Sequence, residues 1–332
     1  MREPSFWWRA AGIEAALLAP FAAAYGAVAA QRLRRSGHQI GIPVICVGNL
    51  TVGGAGKTPT ALAFAQYLLA AGQRPFFLSR GYGGRLSGPL RVEPLRHCAD
   101  DVGDEPLLLA RTAPTIIARD RVAGAEAAQA AGASVIVMDD GFQNPSLAKD
   151  FSVLVLDGRR GIGNGRVIPA GPLRAPLRAQ LDRTHAMLVI GAASNLSSPV
   201  IAAATARGIP IFHGSLEPDR NAVAALGGQR VLAFAGIGDP DKFFTTLIEA
   251  GIEVAARRSF PDHHRYSRAE AETLLAQAAG EDLLPVTTEK DLARMAGVDD
   301  LAALAKAARP LPVTLRIDEE HALRKLLLAV LR

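Results

Sequence analysis

Cysteine is nearly absent. Cys46 and Cys98 stand in unlike contexts without paired spacing, which excludes a disulfide framework and a cysteine zinc site and fits a reducing compartment. Aromatic residues are scarce at 5%, and no stretch interleaves them with basic residues as single-strand nucleic-acid binders do. Nor does one charge dominate: 37 basic against 32 acidic residues leave +5, enough to favour phosphate or an anionic surface without implying nucleic acid. The apolar stretch from Ala10 to Ala30 is broken by Glu14 and Pro20, which argues against a span of about 20 unbroken residues. What remains is a 332-residue chain, 49% hydrophobic and without low-complexity bulk, the composition of a globular α/β protein of about two domains.

Residues 1–35 carry Trp7 and Trp8 beside Arg9 and end in Arg32, Arg34 and Arg35. That pattern suits helices lying in the headgroup region of an anionic leaflet. Packing of Leu17, Leu18 and Phe21 on the body of the protein is the alternative. An exported leader fits poorly, because the phosphate-binding sequence that follows needs cytoplasmic nucleotide.

The β-rich run Val44 to Val47 leads into Gly48-Asn-Leu-Thr-Val-Gly-Gly-Ala-Gly-Lys-Thr58 and then a helical pattern through Leu69. Strand, glycine loop and helix make an anion cradle, since successive backbone N–H groups and the helix amino end point at one place. Gly53, Gly54, Ala55 and Gly56 supply that backbone, Lys57 reaches the β/γ-phosphates, and Thr58 ligates Mg²⁺. The common spacing asks for glycine where Thr51 stands.

A second apolar run, Ala133 to Met138, ends in Asp139-Asp140-Gly-Phe-Gln143. Carboxylates leaving a parallel strand at its carboxyl end can hold Mg²⁺, although an Asp-Gly turn gives the same letters. Asp104 and Glu105 precede a Leu-rich helix, and taken alone they read first as a cap of its amino end. Phe260-Pro-Asp-His-His-Arg-Tyr266 gathers a carboxylate, two imidazoles and a phenol, better suited to acid/base work than to zinc. Arg80 and Tyr82, after the strand Pro75 to Leu78, sit on a loop able to take an anionic substrate or to be a plain turn; Arg121 and Asn164 are read with the same reserve.

Together these motifs resemble the tetraacyldisaccharide 4′-kinase family, the lipid A 4′-kinases of Gram-negative bacteria. The resemblance rests on Val47 to Pro59, Ser79 to Tyr82, Asp101 to Pro106, Asp139 to Gln143, Gly163-Asn-Gly165 with Pro169 to Arg174, Phe260 to His264 and Thr287 to Asp291. Thr51 belongs to it as well. It implies ATP-dependent phosphorylation of the 4′-hydroxyl of a tetraacylated glucosamine disaccharide 1-phosphate at the cytoplasmic face of the inner membrane, with no obligate protein partner. It further implies Asp104 as base assisted by His263, without separating His263 from His264, Lys57 at the phosphates, Asp139, Asp140, Thr58 and Glu105 on the Mg²⁺ side, and Arg80, Tyr82, Arg121 and Asn164 toward substrate, with Tyr82 open to either nucleotide or sugar. A peripheral-membrane P-loop ATPase or a soluble small-molecule kinase would share the phosphate loop; the ATPase has no use for the Asp104 and His263 elements.

Alternating strands near 44–48, 75–79, 114–118, 134–139, 152–157 and 186–190 predict a P-loop NTPase-like, doubly wound, mainly parallel sheet. The expected division is a membrane-associating segment 1–35, a kinase core 36–210, a smaller α/β domain 220–310, a two-stranded linker from 211–219 and 311–318, and a helix 319–332 returning to the core.

Overall fold

Val44-Ile-Cys-Val47 is apolar at every position because its strand is covered on both faces. In the computed structural model, which describes residues 3–331, Val44 and Cys46 face one layer with Leu33 and Leu147, and Ile45 and Val47 face the other with Phe64, Leu68 and Leu327. Parallel strands buried on both sides read as continuous hydrophobic runs. Met1, Arg2 and Arg332, which belong to the expected segments 1–35 and 319–332, lie outside the described residues.

The strands are β1 (Val44–Asn49), β2 (Pro75–Ser79), β3 (Leu90–Arg91), β4 (Thr115–Ile117), β5 (Val135–Asp139), β6 (Phe151–Asp157), β7 (Ala186–Ile190), β8 (Ile211–Pro218), β9 (Arg230–Ala235), β10 (Glu253–Ser259), β11 (Leu284–Thr287), β12 (Arg309–Pro310) and β13 (Val313–Ile317). The larger sheet has the order β13-β8-β7-β6-β1-β5-β2-β4-β3. From β8 to β4 every pairing is parallel, and the edge strands β13 and β3 run antiparallel to their neighbours. This is a doubly wound, mainly parallel α/β sheet, and the six expected strands agree with it to within one residue at each end.

The chain leaves this sheet through β8 and returns through β13, which pair from Val313↔Pro218 to Ile317↔Gly214. Between them lies a smaller parallel sheet, β10-β9-β11-β12. Leu232 and Phe234 face Tyr266 and Leu274 on one side of it, and Val231 and Ala233 face Phe244 and Leu247 on the other. The helix Glu320–Ala329 packs Leu323 and Leu327 into the same layer as Phe64 and Leu68 of the helix Lys57–Ala70.

At the amino end, the helices Ile13–Leu17 and Ala19–Arg34 present two faces. Ala22, Gly26 and Leu33 lie against the body of the protein. Ile13 (78% exposed), Leu17 (72%), Phe21 (65%), Tyr25 and Val28 form an outward apolar stripe at helical spacing. Leu17 and Phe21 therefore do not pack as core. Trp7 and Trp8 do not join the stripe either: Trp7 is buried with its indole N–H donating to the Pro169 carbonyl at 3.0 Å, and Trp8 donates to Glu3 at 3.0 Å beneath the Arg160 guanidinium. A buried indole needs an acceptor, and the Gly163–Pro169 loop supplies one. Among the described residues no helix is long and apolar enough to cross a membrane.

Candidate functional site

The site forms where β1, β2, β5 and β6 end. Gly56, at φ +90°, turns the chain from the loop into the helix Lys57–Ala70, a conformation that favours glycine. Asn49 closes the loop by donating its amide to the Gly53 carbonyl at 2.9 Å. Lys57 Nζ donates to the same carbonyl at 3.3 Å and stands 3.9 Å from Asp140 Oδ2. The Thr58 hydroxyl donates to Asp139 Oδ2 at 3.1 Å, and Asp139 Oδ1 is buried without a hydrogen-bond partner.

The two adjacent carboxylates have opposite electrostatics. Burial and then the Glu105 charge push Asp139 up to about 7, against the pull of Lys57. Burial also opposes ionisation of Asp140, but Lys57 and Arg174 overcome it and hold that carboxyl at about 2. Arg174 grips both Asp140 oxygens, Nη1 to Oδ1 at 2.7 Å and Nη2 to Oδ2 at 3.1 Å.

Gly103, at φ +90°, lets the helix Asp104–Leu109 start against the Tyr82 carbonyl; a Cβ there would stand 2.4 Å from that oxygen. Asp104 is buried. Its Oδ1 accepts the Glu105 N–H at 2.9 Å, and its Oδ2 accepts Arg294 Nε at 2.7 Å and lies 3.5 Å from His263 Nδ1. Burial disfavours the Asp104 anion, yet His263, Arg294 and Lys290 hold its carboxyl well below the usual range. The same contact, against burial, raises His263. Lys290 reaches Glu105 at 2.6 Å. Since Glu105 and Lys290 both act on Asp139, the two halves of the site share one electrostatic neighbourhood.

Adjacent histidines point apart here. His263 meets Asp104 and lies edge-on to the Tyr82 ring at 5.1 Å, whereas His264 turns to Glu270 at 3.0 Å and stacks on Phe260. His263 and Asp140 both adopt φ +55°. A side chain held in that region costs of order ~1 kcal/mol or more, and such residues concentrate at functional sites.

Arg80 and Tyr82 are exposed; the Tyr82 ring meets His263, and the Arg80 charge is felt at Arg121. Arg121 is buried, donates to the Ala118 carbonyl at 2.6 Å, and is lowered to about 10 by burial and by the nearby Arg80 charge. Asn164 is engaged with backbone: its amide donates to the carbonyls of Ala170 (2.9 Å) and Phe6 (3.4 Å), and its oxygen accepts the Arg166 N–H. Sequence reasoning gave no role to Arg174, Lys290 or Arg294. Arg174 and Lys290 stand inside quoted motifs, and Arg294 follows Asp291 by one helical turn, which is the signal that was available.

Comparison with known proteins gives one answer. The family model for tetraacyldisaccharide-1-P 4′-kinase (LpxK) matches residues 14–332. Tetraacyldisaccharide 4′-kinase of Nitrobacter winogradskyi is 55% identical over 328 residues, 99% of this chain and 97% of the relative. That of a Methylobacterium species is 57% identical over 333 residues, 100% of this chain and 98% of the relative. A crystal structure of LpxK from Aquifex aeolicus in complex with ATP superposes with a TM-score of 0.74 at 27% identity, covering 96% of this chain and 99% of that one.

Proposed function

The chain belongs to the tetraacyldisaccharide-1-P 4′-kinase family, and from that membership we propose that it transfers the γ-phosphate of ATP to the 4′-hydroxyl of a tetraacylated glucosamine disaccharide 1-phosphate. It is a kinase of lipid A biosynthesis. The observation that supports transfer to an acceptor is the Asp104–His263 pair, a buried carboxylate 3.5 Å from a half-buried imidazole on the neighbouring unit. Phosphoryl transfer asks for in-line positioning and charge neutralisation more than covalent chemistry. Lys57 and the N–H groups of Gly53, Gly54, Ala55 and Gly56 bind the phosphates, and the Asp104–His263 pair orients the hydroxyl and takes its proton. Arg80 and Tyr82 face the sugar, with Arg121 adding charge from beneath. Asn164 acts indirectly by anchoring the amino-terminal segment.

The donors suit Mg²⁺. Asp139 has an orphaned oxygen and a carboxyl raised by burial and by the Glu105 charge, with the Thr58 hydroxyl beside it. Thr58, Asp139 and Glu105 would hold the ion, while Asp140 serves through Lys57 and Arg174. An ion held there would neutralise charge on the phosphates. Because burial and the Glu105 charge raise the Asp139 carboxyl, part of it stays protonated at neutral pH and ionises as pH rises. Binding of Mg²⁺-nucleotide near neutral pH should therefore release protons, and the release should fade as pH rises. Calorimetry in buffers of different ionisation enthalpy reads this directly. Release that persists unchanged in Asp139→Asn would assign it to another group.

We take residues 36–210 as the kinase core, 220–310 as the smaller domain, and 211–219 with 311–318 as the hinge between them. The outward stripe from Ile13 to Val28, with Arg32, Arg34 and Arg35 near one end, seats the protein on the cytoplasmic leaflet where its lipid substrate resides. Each large apolar side chain withdrawn from water contributes about 1.5–3 kcal/mol. Leu17→Glu with Phe21→Glu should weaken co-sedimentation with anionic vesicles about 10–100-fold and leave thermal unfolding nearly unchanged, since both side chains are exposed. Equal vesicle binding by the double variant would remove the stripe from the membrane contact.

The deciding assay is transfer of labelled γ-phosphate from Mg-ATP to the tetraacylated disaccharide 1-phosphate in detergent micelles. Label on the lipid is the expected result. Hydrolysis without labelled lipid, from folded ATP-binding protein, would favour the ATPase.

A further inference from the structure

Asp104 carries the acceptor chemistry in the reading above, and the present inference rests on it. What holds Asp104 is a residue far away in the sequence. Arg294 lies on the helix Glu289–Met295 of the smaller unit, and its guanidinium is buried. Nε donates to Asp104 Oδ2 at 2.7 Å, and Nη2 lies 2.6 Å from the same oxygen without a linear hydrogen bond. Nη1 donates to the Gly236 carbonyl at 2.6 Å and to Asp291 Oδ1 at 2.8 Å.

The fork is itself fixed. Asp291 is fully buried; its Oδ1 also accepts the Gly236 N–H at 3.0 Å and the Tyr266 hydroxyl at 2.9 Å, and its Oδ2 accepts the Thr288 hydroxyl at 2.6 Å. Gly236 begins the turn that brings Gly238 near the Gly54 N–H of the phosphate loop, and Tyr266 ends the loop that carries His263. One guanidinium thus fixes the smaller unit's two active-site loops and the larger unit's carboxylate in a single buried network.

We infer that Arg294 is the positioning residue that sets the Asp104 carboxylate against His263 and makes its placement conditional on docking of the smaller unit. A lysine could pair with Asp104 as a point charge. It could not hold Asp104, Gly236 and Asp291 together in one plane. Misplacing a reacting group by about 1 Å costs about 100-fold in rate, whereas nucleotide binding by Lys57 and the glycine loop is untouched.

The test is a double-mutant cycle of Arg294→Lys and Asp104→Asn, with kcat and KM for Mg-ATP measured for lipid phosphorylation and thermal midpoints taken for each protein. Arg294→Lys should lower kcat about 10–100-fold and leave KM for Mg-ATP within about twofold. In the Asp104→Asn background the same substitution should cost less than about threefold, because the residue it acts through is gone. Full kcat in Arg294→Lys overturns the inference. So does a loss as large in the Asp104→Asn background as in the wild type, or a rise in KM for Mg-ATP that accounts for the loss. Asp104→Asn alone reports on the underlying reading: near-wild-type turnover there removes Asp104 from the chemistry, whereas a dead Asp104→Asn beside a fully active Arg294→Lys removes only Arg294. Arg294→Ala, which leaves two buried carboxylates without their cation, is expected to unfold more readily and is the weaker probe.

Discussion

Asp104→Asn should lower kcat for lipid phosphorylation by about 10²–10⁴-fold while KM for Mg-ATP stays nearly constant. The substitution is close to isosteric and keeps an oxygen for Arg294, so the loss reads the missing negative charge rather than a collapsed helix. Asp104 is a weak base in this arrangement, because its neighbours hold the carboxyl far below the usual range despite burial. A weak base can still matter in phosphoryl transfer, where the hydroxyl proton leaves late and orientation of the nucleophile counts more than its early deprotonation. His263, raised by its contact with Asp104 against the effect of burial, is suited to share the proton. A variant with wild-type turnover would leave Asp104 as the start of a helix and nothing more.

Lys57→Ala should behave differently, harming nucleotide affinity and turnover together. Its ammonium sits between the Gly53 carbonyl and Asp140, and removal takes a positive charge out of a site that already contains Asp139, Asp140 and Glu105. Loss of one preorganised electrostatic group costs about 10²–10³-fold in kcat, with a rise in KM for Mg-ATP added to it. Titration of the variant with Mg-ATP separates the two effects. Unchanged affinity would mean that the backbone cradle binds the phosphates unaided.

The larger fold was legible because its determinants are local. Val44 to Val47 and Ala133 to Met138 are buried on both faces and so announce themselves as parallel strands, and the glycines before Lys57 announce the turn between strand and helix. The contacts that complete the candidate site are not local. Asp104 and Arg294 are separated by 190 residues, and Glu105 and Lys290 by 185, so no periodicity links them. Asp104 and His263 were associated only through the family resemblance. The choice between His263 and His264 depends on a positive φ at His263, a conformation that is uncommon outside glycine and that the sequence does not assign to one histidine over its neighbour, although histidine tolerates it better than most residues. Trp7 and Trp8 beside Arg9 have the composition of an interfacial belt, but the Gly163–Pro169 loop offers Trp7 an acceptor at short range and draws it inward.

The pairing of β8 with β13 also has a consequence for how the molecule is made. On a ribosome, the smaller unit emerges complete before β13 and the helix Glu320–Ala329 exist. Until they arrive, the larger sheet lacks its edge strand, and the layer containing Phe64 and Leu68 lacks the cover of Leu323 and Leu327. Prior folding of the intervening unit brings Pro218 and Val313 toward one another and so reduces the entropy of that late closure. The growing chain meanwhile carries apolar surface of the kind that chaperones bind. The phosphate loop is translated early, and the helix behind it gains its full apolar cover late.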